Sequence, residues 1–133
     1  LCAALPEGHR LAAHSSLRVE DLADEDFITL PEHPSSTLRE NTMRLCRDAG
    51  FSPRLVQAAP DSQTIGALVA AGLGISITFD SVSANTREAG TVAVPLDVEQ
   101  APSTLYLAHR TAHGKPSLEA VLALAEEVLP TVG

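Results

Sequence analysis

The residues best suited to chemistry in this chain form a short polar turn, 60–63, between two apolar runs. The run LVQAA (55–59) predicts a strand, and IGALVAAG (65–72) has a helical pattern. At a strand-to-helix turn the first N–H groups of the helix lack partners within the helix. The turn adds short polar side chains next to them, from Pro60, Asp61, Ser62 and Gln63. These features predict a cleft that binds a small polar ligand rather than a catalytic centre.

Other reactive residue types have spacings that favour structural roles. Gly72 and Gly74 form a GxG, but they follow a helical pattern and precede a strand, the reverse of a dinucleotide-binding loop. His109 and His113 lie four residues apart in a stretch that reads as a turn, which favours surface histidines over metal ligands. Ser76 lies in a strand pattern and lacks the second glycine of a nucleophile elbow. We therefore predict no cofactor, no metal and no catalytic residue.

The composition excludes several classes of partner. The 133 residues are 44% apolar and 20% charged, which suits one packed domain. Nine Lys and Arg residues against seventeen Asp and Glu residues give a net charge of −8, so the segment should repel nucleic acid and anionic membranes. Aromatic residues make up only 3%, so stacking platforms for single-stranded nucleic acid are lacking. We expect no direct contact with DNA or a membrane.

The cysteines and the termini predict the cellular setting. Cys2 and Cys46 are far apart and have no CxxC spacing, which is typical of a reduced, cytoplasmic protein rather than a disulfide scaffold. No segment approaches the roughly 20 apolar residues of a membrane span, and no signal-like segment opens the chain. The chain begins on an apolar run without Met, so we expect a fragment of a longer protein.

Alternating strand and helix patterns predict an α/β fold with parallel strand pairing. Strands are expected at 1–5, 27–30, 55–59, 75–79, 91–96 and 104–110. Helices are expected from Thr37 to a stop at Gly50, from about Ser62 to Ala71, and from Pro116 to a stop at Pro130. Thr37 and Glu40 have the spacing of a capping box, in which each side chain accepts from a backbone N–H group of the first turn.

Four collinear motifs resemble the effector-binding domain of LysR-type transcriptional regulators. They are LPEGHRLA (5–12), DLADEDFI (21–28), TLRENTMRLCRDAGF (37–51) followed by Pro53, and VAAGLGISI (69–77). No single motif is decisive, but together they cover almost the whole chain in the order and at the spacing of that family. The resemblance implies a three-layer, periplasmic-binding-protein-like lobe with a mostly parallel sheet and flanking helices. Residues 6–92 would form the second lobe of the domain. Residues 1–5 and 93–133 would form hinge strands and elements that return toward a first lobe.

The resemblance also implies the ligand-binding residues. Family effector contacts carry over to His33, Ser35, Ser36 and Thr37, and to Pro60, Asp61, Ser62 and Gln63. Helix-start amides with short polar side chains suit a small carboxylate or other polar anion, and Asp61 favours an amino acid or hydroxy acid. Peroxide-sensing members have a reactive Cys where this chain has Thr37, so Cys46 is expected to be a buried, inert thiol.

The implied partners are a small-molecule effector and further copies of the chain. The parent protein would be a homodimer or higher homo-oligomer that contacts DNA only through a winged helix-turn-helix outside this chain. The effector would shift the relative orientation of the lobes and the state of the DNA-bound oligomer. Two alternatives stay open: a free-standing small-molecule-binding protein of the periplasmic-binding type, and a small enzyme using Asp61 with His33.

Overall fold

A computed structural model of the chain describes residues 1–34, 36–80, 90–99 and 116–128. It forms two compact units, Leu1–Gln100 and Ala101–Gly133. The first unit contains, in order, β1 (Cys2–Pro6), a 3-10 helix (Val19–Leu22), β2 (Asp26–Thr29), α1 (Thr37–Asp48), β3 (Arg54–Ala58), α2 (Ser62–Ala70), β4 (Ser76–Thr78) and β5 (Thr91–Pro95). These elements confirm the predicted strands and helices of this unit, with shifts of one or two residues at their ends. The strand predicted at 104–110 lies outside the described residues.

In the described ranges, five strands form two sheets, which a bridge connects. β2 and β3 pair in parallel, whereas β1 lies antiparallel between β4 and β5. The bridge joins Phe27 to Ile75 in parallel, with Ile28 N–H donating to the Ile75 carbonyl and Ile75 N–H to the Asp26 carbonyl, both at 2.8 Å. The parallel pairing was predicted from the order of the elements. The antiparallel position of β1 was not predicted, because sequence order does not identify which strands become neighbours.

Side chains alternate between two very different faces of the three-stranded sheet. One face is apolar and belongs to the main core, where Ala3, Leu5, Ile75, Ile77 and Val94 pack with Phe27, Leu45 and Cys46. The opposite face has a row of small residues, because Ala4 pairs with Ser76 on one side and with Ala93 on the other. Helix α2 contributes Ile65 and Val69 to a second buried cluster with Ile28 and Ala59. The sheet therefore separates two packing layers.

The first helix has the predicted face and begins at Thr37 as predicted, but its N-cap is not the predicted one. Thr42, Leu45 and Cys46 are buried, and Gly50 after the helix adopts a positive φ of 86°. The N-cap is Ser36, in an extended conformation, and its side chain makes no capping hydrogen bond. The capping box predicted for Thr37 and Glu40 is therefore wrong. Three consecutive hydroxyl residues offer alternative caps, and the sequence spacing alone cannot select among them.

The second helix, in contrast, has a side-chain cap that carries a charge. Asp61 is its N-cap, and the carboxylate accepts from the Thr64 N–H at 2.8 Å and from the Thr64 hydroxyl at 2.9 Å. These hydrogen bonds, the backbone one first, hold the pKa of the Asp61 carboxyl below its ordinary value. The ionised carboxylate thus occupies the positive end of α2.

Two of the family-like motifs contact each other through one carboxylate. Glu25 lies beside both His9 and Arg10 of the preceding loop, with His9 Nε2 3.1 Å from Glu25 Oε2. The Leu11 N–H donates to His9 Nδ1 at 3.3 Å, so the hydrogen of a neutral ring lies on Nε2 and points to Glu25. This contact attaches the loop after β1 to the segment before β2.

The second unit contains α3 (Pro116–Val128), which confirms the helix predicted to begin at Pro116. Leu118, Leu122 and Ala125 are half-buried, whereas Val121, Leu124 and Val128 are exposed. None of the helices within the described ranges is both long enough and apolar enough for a bilayer span.

The bridge between the sheets gives a stability prediction at Gly74. A Cβ there would lie 2.6 Å from the Asp26 carbonyl oxygen, which accepts the Ile75 N–H of the bridge. We expect Gly74→Ala to lower the free energy of unfolding by about 1–3 kcal/mol, measured by urea denaturation. A Cβ on Gly8 would meet no atom within 4 Å, so Gly8→Ala is the matched control and should change stability by less than about 1 kcal/mol. Equal effects of the two substitutions would contradict this packing.

The Asp61 cap gives a prediction about pH. Because the pKa of this carboxyl is lowered in the folded state, its stabilisation is present above the ordinary aspartate pKa of about 4 and is lost as the pH falls through the lowered pKa. Asp61→Ala should therefore lower the unfolding midpoint at neutral pH, and the difference from the unmodified protein should shrink in acid. Asp61→Asn keeps an uncharged cap and should lose less. A midpoint difference that is constant from pH 7 to pH 2 would contradict a charged cap.

Candidate functional site

A small cavity lies where both helix starts meet the small-residue face of the three-stranded sheet. Its volume is about 30 Å³, room for roughly two water-sized groups. The described residues that line it are Ala4, Leu38, Ser62, Ile65, Gly66, Ser76, Thr78, Thr91, Val92 and Ala93. We refer to it as the cleft cavity. Leu38 comes from the first turn of α1 and Ser62 from the first turn of α2, so the cavity borders both helix starts.

The sheet creates this cavity because its side chains are short on one face. Ala4, Ser76 and Ala93 lie side by side on three neighbouring strands. Above them α2 presents Ser62 and Gly66 at i and i+4, and neither residue has a side chain that could fill the space. Thr78 places the cavity at the carboxyl end of β4, and α/β sheets commonly bind ligands at such strand ends.

The described lining is mostly apolar, with four hydroxyl side chains and no charged one. Three hydroxyl groups border the cavity on Ser62, Ser76 and Thr78, and Thr91 adds a fourth. Thr78 is only 8% exposed and Ser76 only 3%. The Ser76 hydroxyl makes a long contact of 3.4 Å with the Ile77 carbonyl. Within the described part of the chain, the Thr78 and Ser62 hydroxyls have no hydrogen-bond partner. A buried hydroxyl without a partner, such as that of Thr78, is costly, which makes this cavity the candidate ligand site.

A larger open groove of about 470 Å³ runs along the outer side of α1. Glu32, His33, Ser36, Arg39, Glu40, Met43, Arg44 and Arg47 line it. Arg39 is held by donating to the Leu30 carbonyl at 2.9 Å, and Arg44 lies 3.4 Å from Asp48. The groove is lined mainly by long charged side chains of both signs. The cleft cavity, in contrast, has buried, uncharged hydroxyl groups.

The predicted ligand-binding residues separate between these two concavities. Ser62 lines the cleft cavity, whereas His33 and Ser36 line the outer groove. Thr37, Pro60, Asp61 and Gln63 are exposed and line neither. Ser35 lies outside the described residues. Asp61 is engaged with Thr64, so its carboxylate is not directed at a ligand.

Sequence reasoning missed the hydroxyl groups that β4 contributes. Ser76 and Thr78 alternate with Ile75 and Ile77, which face the core. An apolar strand with polar residues at every second position normally exposes that face to water. Here the polar positions are buried, so the alternation alone could not distinguish a cavity from a solvent-exposed face.

The cysteines offer no reactive group. Cys46 is fully buried on α1, and burial raises the pKa of its thiol to about 11, so it stays protonated near neutral pH. Cys2 is also buried, and within the described residues neither cysteine is in a disulfide. In the ranges that the structure describes, no group of three or more His, Cys, Asp or Glu residues is arranged to hold a metal ion.

Comparison with known proteins identifies the family. The sequence model described as "LysR substrate binding domain" matches residues 1–130. The HTH-type transcriptional regulator ShiR of Corynebacterium glutamicum (strain R) is 32% identical over 127 residues, which cover 96% of this chain and 43% of ShiR. The chain therefore spans less than half the length of this relative.

Solved structures show the same fold. The effector-binding domain of QuiR in complex with shikimate superposes with a TM-score of 0.73 at 22% identity, covering 93% of this chain and 58% of that one. The BenM effector-binding domain with its effector benzoate gives a TM-score of 0.67 at 22% identity, covering 95% and 59%. The fold is thus the α/β, periplasmic-binding-protein-like fold that the sequence predicted. The chain belongs to the LysR substrate-binding domain family.

Proposed function

We propose that this chain is the effector-sensing part of a LysR-type transcriptional regulator and that it binds a small carboxylic acid at the cleft cavity. The observation that carries the proposal is the placement of that cavity, where two helix starts and a buried polar sheet face converge. Residues 6–92 form the ligand-binding lobe in this proposal. Residues 1–5 and 93–133 form hinge strands and elements that return toward a further lobe.

Structural neighbours support a small acid as the effector. QuiR is crystallised with shikimate and BenM with benzoate, and both ligands are carboxylates of similar size. The ligand would enter between this lobe and a second one, so the cleft cavity would hold only one end of it.

The start of α1 is the proposed carboxylate site. Ser36 caps this helix without a side-chain hydrogen bond, so no side chain of the cap residue meets the first amides of α1. Those N–H groups and the positive end of the helix dipole would favour a carboxylate. Ser36, Thr37, His33 and Ser35 would surround it, as the family resemblance implies. At the second helix start Pro60, Asp61 and Gln63 would shape the entrance, with Ser62 contacting the ligand.

The proposed response is a change in relative lobe orientation. A ligand that contacts both lobes stabilises the orientation in which both sets of contacts form, and only this difference in affinity can shift the population. In a cytoplasmic homo-oligomer of the parent protein, the shift would change how the subunits lie on DNA, which a winged helix-turn-helix outside this chain would contact. The chain's own charge of −8 is consistent with a role away from the DNA surface.

An enzymatic role has less support in the described residues. Asp61 caps α2, whereas His33 lines the outer groove, so the two residues of the acid–base pair in the enzyme alternative do not share a cavity. The comparisons likewise point to transcriptional regulators, because ShiR carries that name.

Titration of the full-length protein with small carboxylates tests this function. Ser62→Ala and Thr37→Val should each weaken effector affinity about two- to tenfold, because each removes one hydroxyl contact, and calorimetry would measure the change. Ser16→Ala is the matched control, since Ser16 is exposed and lines neither concavity. Ser62→Ala and Thr37→Val should both keep the unfolding midpoint of the unmodified protein.

A thermal-shift panel of amino acids, hydroxy acids, aromatic acids and inorganic anions identifies the effector class beforehand. A ligand that binds the native state raises the midpoint by mass action. If no acid in the panel shifts the full-length protein, the proposed sensor function is contradicted. If an acid binds but Ser62→Ala and Thr37→Val leave its affinity unchanged, the assignment of the helix starts is contradicted instead.

A further inference from the structure

The floor of the cleft cavity has buried hydroxyl groups, and its described lining has no charged side chain. Thr78 is more than nine-tenths buried, and its hydroxyl lacks a partner within the described residues. Ser62 faces the same space from α2, and Ser76 adds a hydroxyl whose one contact, with the Ile77 carbonyl, is long at 3.4 Å. A volume of about 30 Å³ leaves room there for one or two non-hydrogen atoms that would donate to and accept from these hydroxyls.

The charges around this floor disfavour both a carboxylate and an ammonium group of a ligand. Among the described residues, no Lys, Arg or His lines the cavity, so these residues would give a buried carboxylate no counter-charge. The positive end of α2 is already occupied by the Asp61 carboxylate, which would repel a second anion. The described lining also has no Asp or Glu to pair with an ammonium group, and the Asp61 carboxylate already accepts from Thr64. An uncharged group that both donates and accepts remains.

We propose that Ser62, Ser76 and Thr78 form a subsite for an alcohol hydroxyl of the effector, which makes the effector a hydroxylated carboxylic acid. This inference rests on the proposed function and adds the ligand class to it. The hydroxyl enters the floor of the cavity and bonds to the three side chains. The carboxylate stays outside, toward the start of α1.

Matched sets of acids that differ in one substituent test the subsite. Lactate, alanine and propionate form one set, malate, aspartate and succinate a second, and 3-hydroxybenzoate, 3-aminobenzoate and benzoate a third. In calorimetric titrations of the full-length protein, the hydroxyl member of at least one set should bind about tenfold more tightly than the unsubstituted and amino members. Equal binding of the unsubstituted acid, or tighter binding of the amino acid, would overturn the proposal.

Substitutions then test which side chains produce the preference for the hydroxyl acid. Thr78→Val keeps the side-chain shape and removes a hydroxyl without a partner, so the fold and the unfolding midpoint should be retained. The affinity ratio of the hydroxyl acid to the unsubstituted acid should fall from about ten to about one. Ser62→Ala should reduce the preference in the same direction. Thr29→Val is the matched control, because Thr29 is buried near the end of β2 but does not line the cavity. It should leave the preference unchanged.

The outcomes separate this proposal from the broader function. If an acid binds but Thr78→Val and Ser62→Ala both keep the full hydroxyl preference, the cavity holds a resident water only and the subsite is overturned. If no acid binds, the sensor function itself fails. If Thr29→Val abolishes the preference as strongly as Thr78→Val does, the discrimination does not arise at this cavity and the subsite is likewise overturned.

Discussion

The pairing of β1 with strands on both of its sides is the constraint on which the rest of the unit Leu1–Gln100 depends. β1 is hydrogen-bonded to β4 along one edge and to β5 along the other, although both partners come much later in the chain. Closing these long loops costs entropy that only the later contacts recover. Because side chains on a strand alternate between two faces, a shift of one residue in this register would exchange the core face with the cavity face. The register therefore determines the core and the cleft cavity together.

The two faces of β1 satisfy different requirements. Ala3 and Leu5 are fully buried in the apolar core, where burial of apolar area stabilises the fold. Ala4 faces the other way and is short, which leaves space between the sheet and α2. A larger residue there would fill the cavity and increase apolar packing. The small-residue row thus gives up packing energy at the position where the two helix starts meet, which is the pattern expected of a functional site in a stable scaffold.

Local structure was predictable from sequence because it depends on local patterns. The stripe of Thr42, Leu45 and Cys46 and the positive φ of Gly50 define α1 as its periodicity and C-terminal glycine indicated. The capping box at Thr37 failed because neighbouring Ser and Thr residues are equivalent in a pattern. β3 is a strand as expected, yet Leu55 and Val56 are about 40% exposed. Its apolar run did not reveal that it lies at an edge of the sheet, which is a tertiary property.

The candidate site was only partly predictable from sequence, because some of its residues are brought together by tertiary strand pairing. Ser62 was identified from its position after a strand and before a helix, which is a local signal. Ser76 and Thr78 were not identified, because they reach the cavity only through the pairing of β4 with β1. Their burial without full hydrogen bonding costs stability in the unliganded lobe. In the proposed function, a ligand that satisfies them would recover that cost only in the arrangement that closes over it. Affinity and lobe orientation would then be coupled through the same hydroxyl groups.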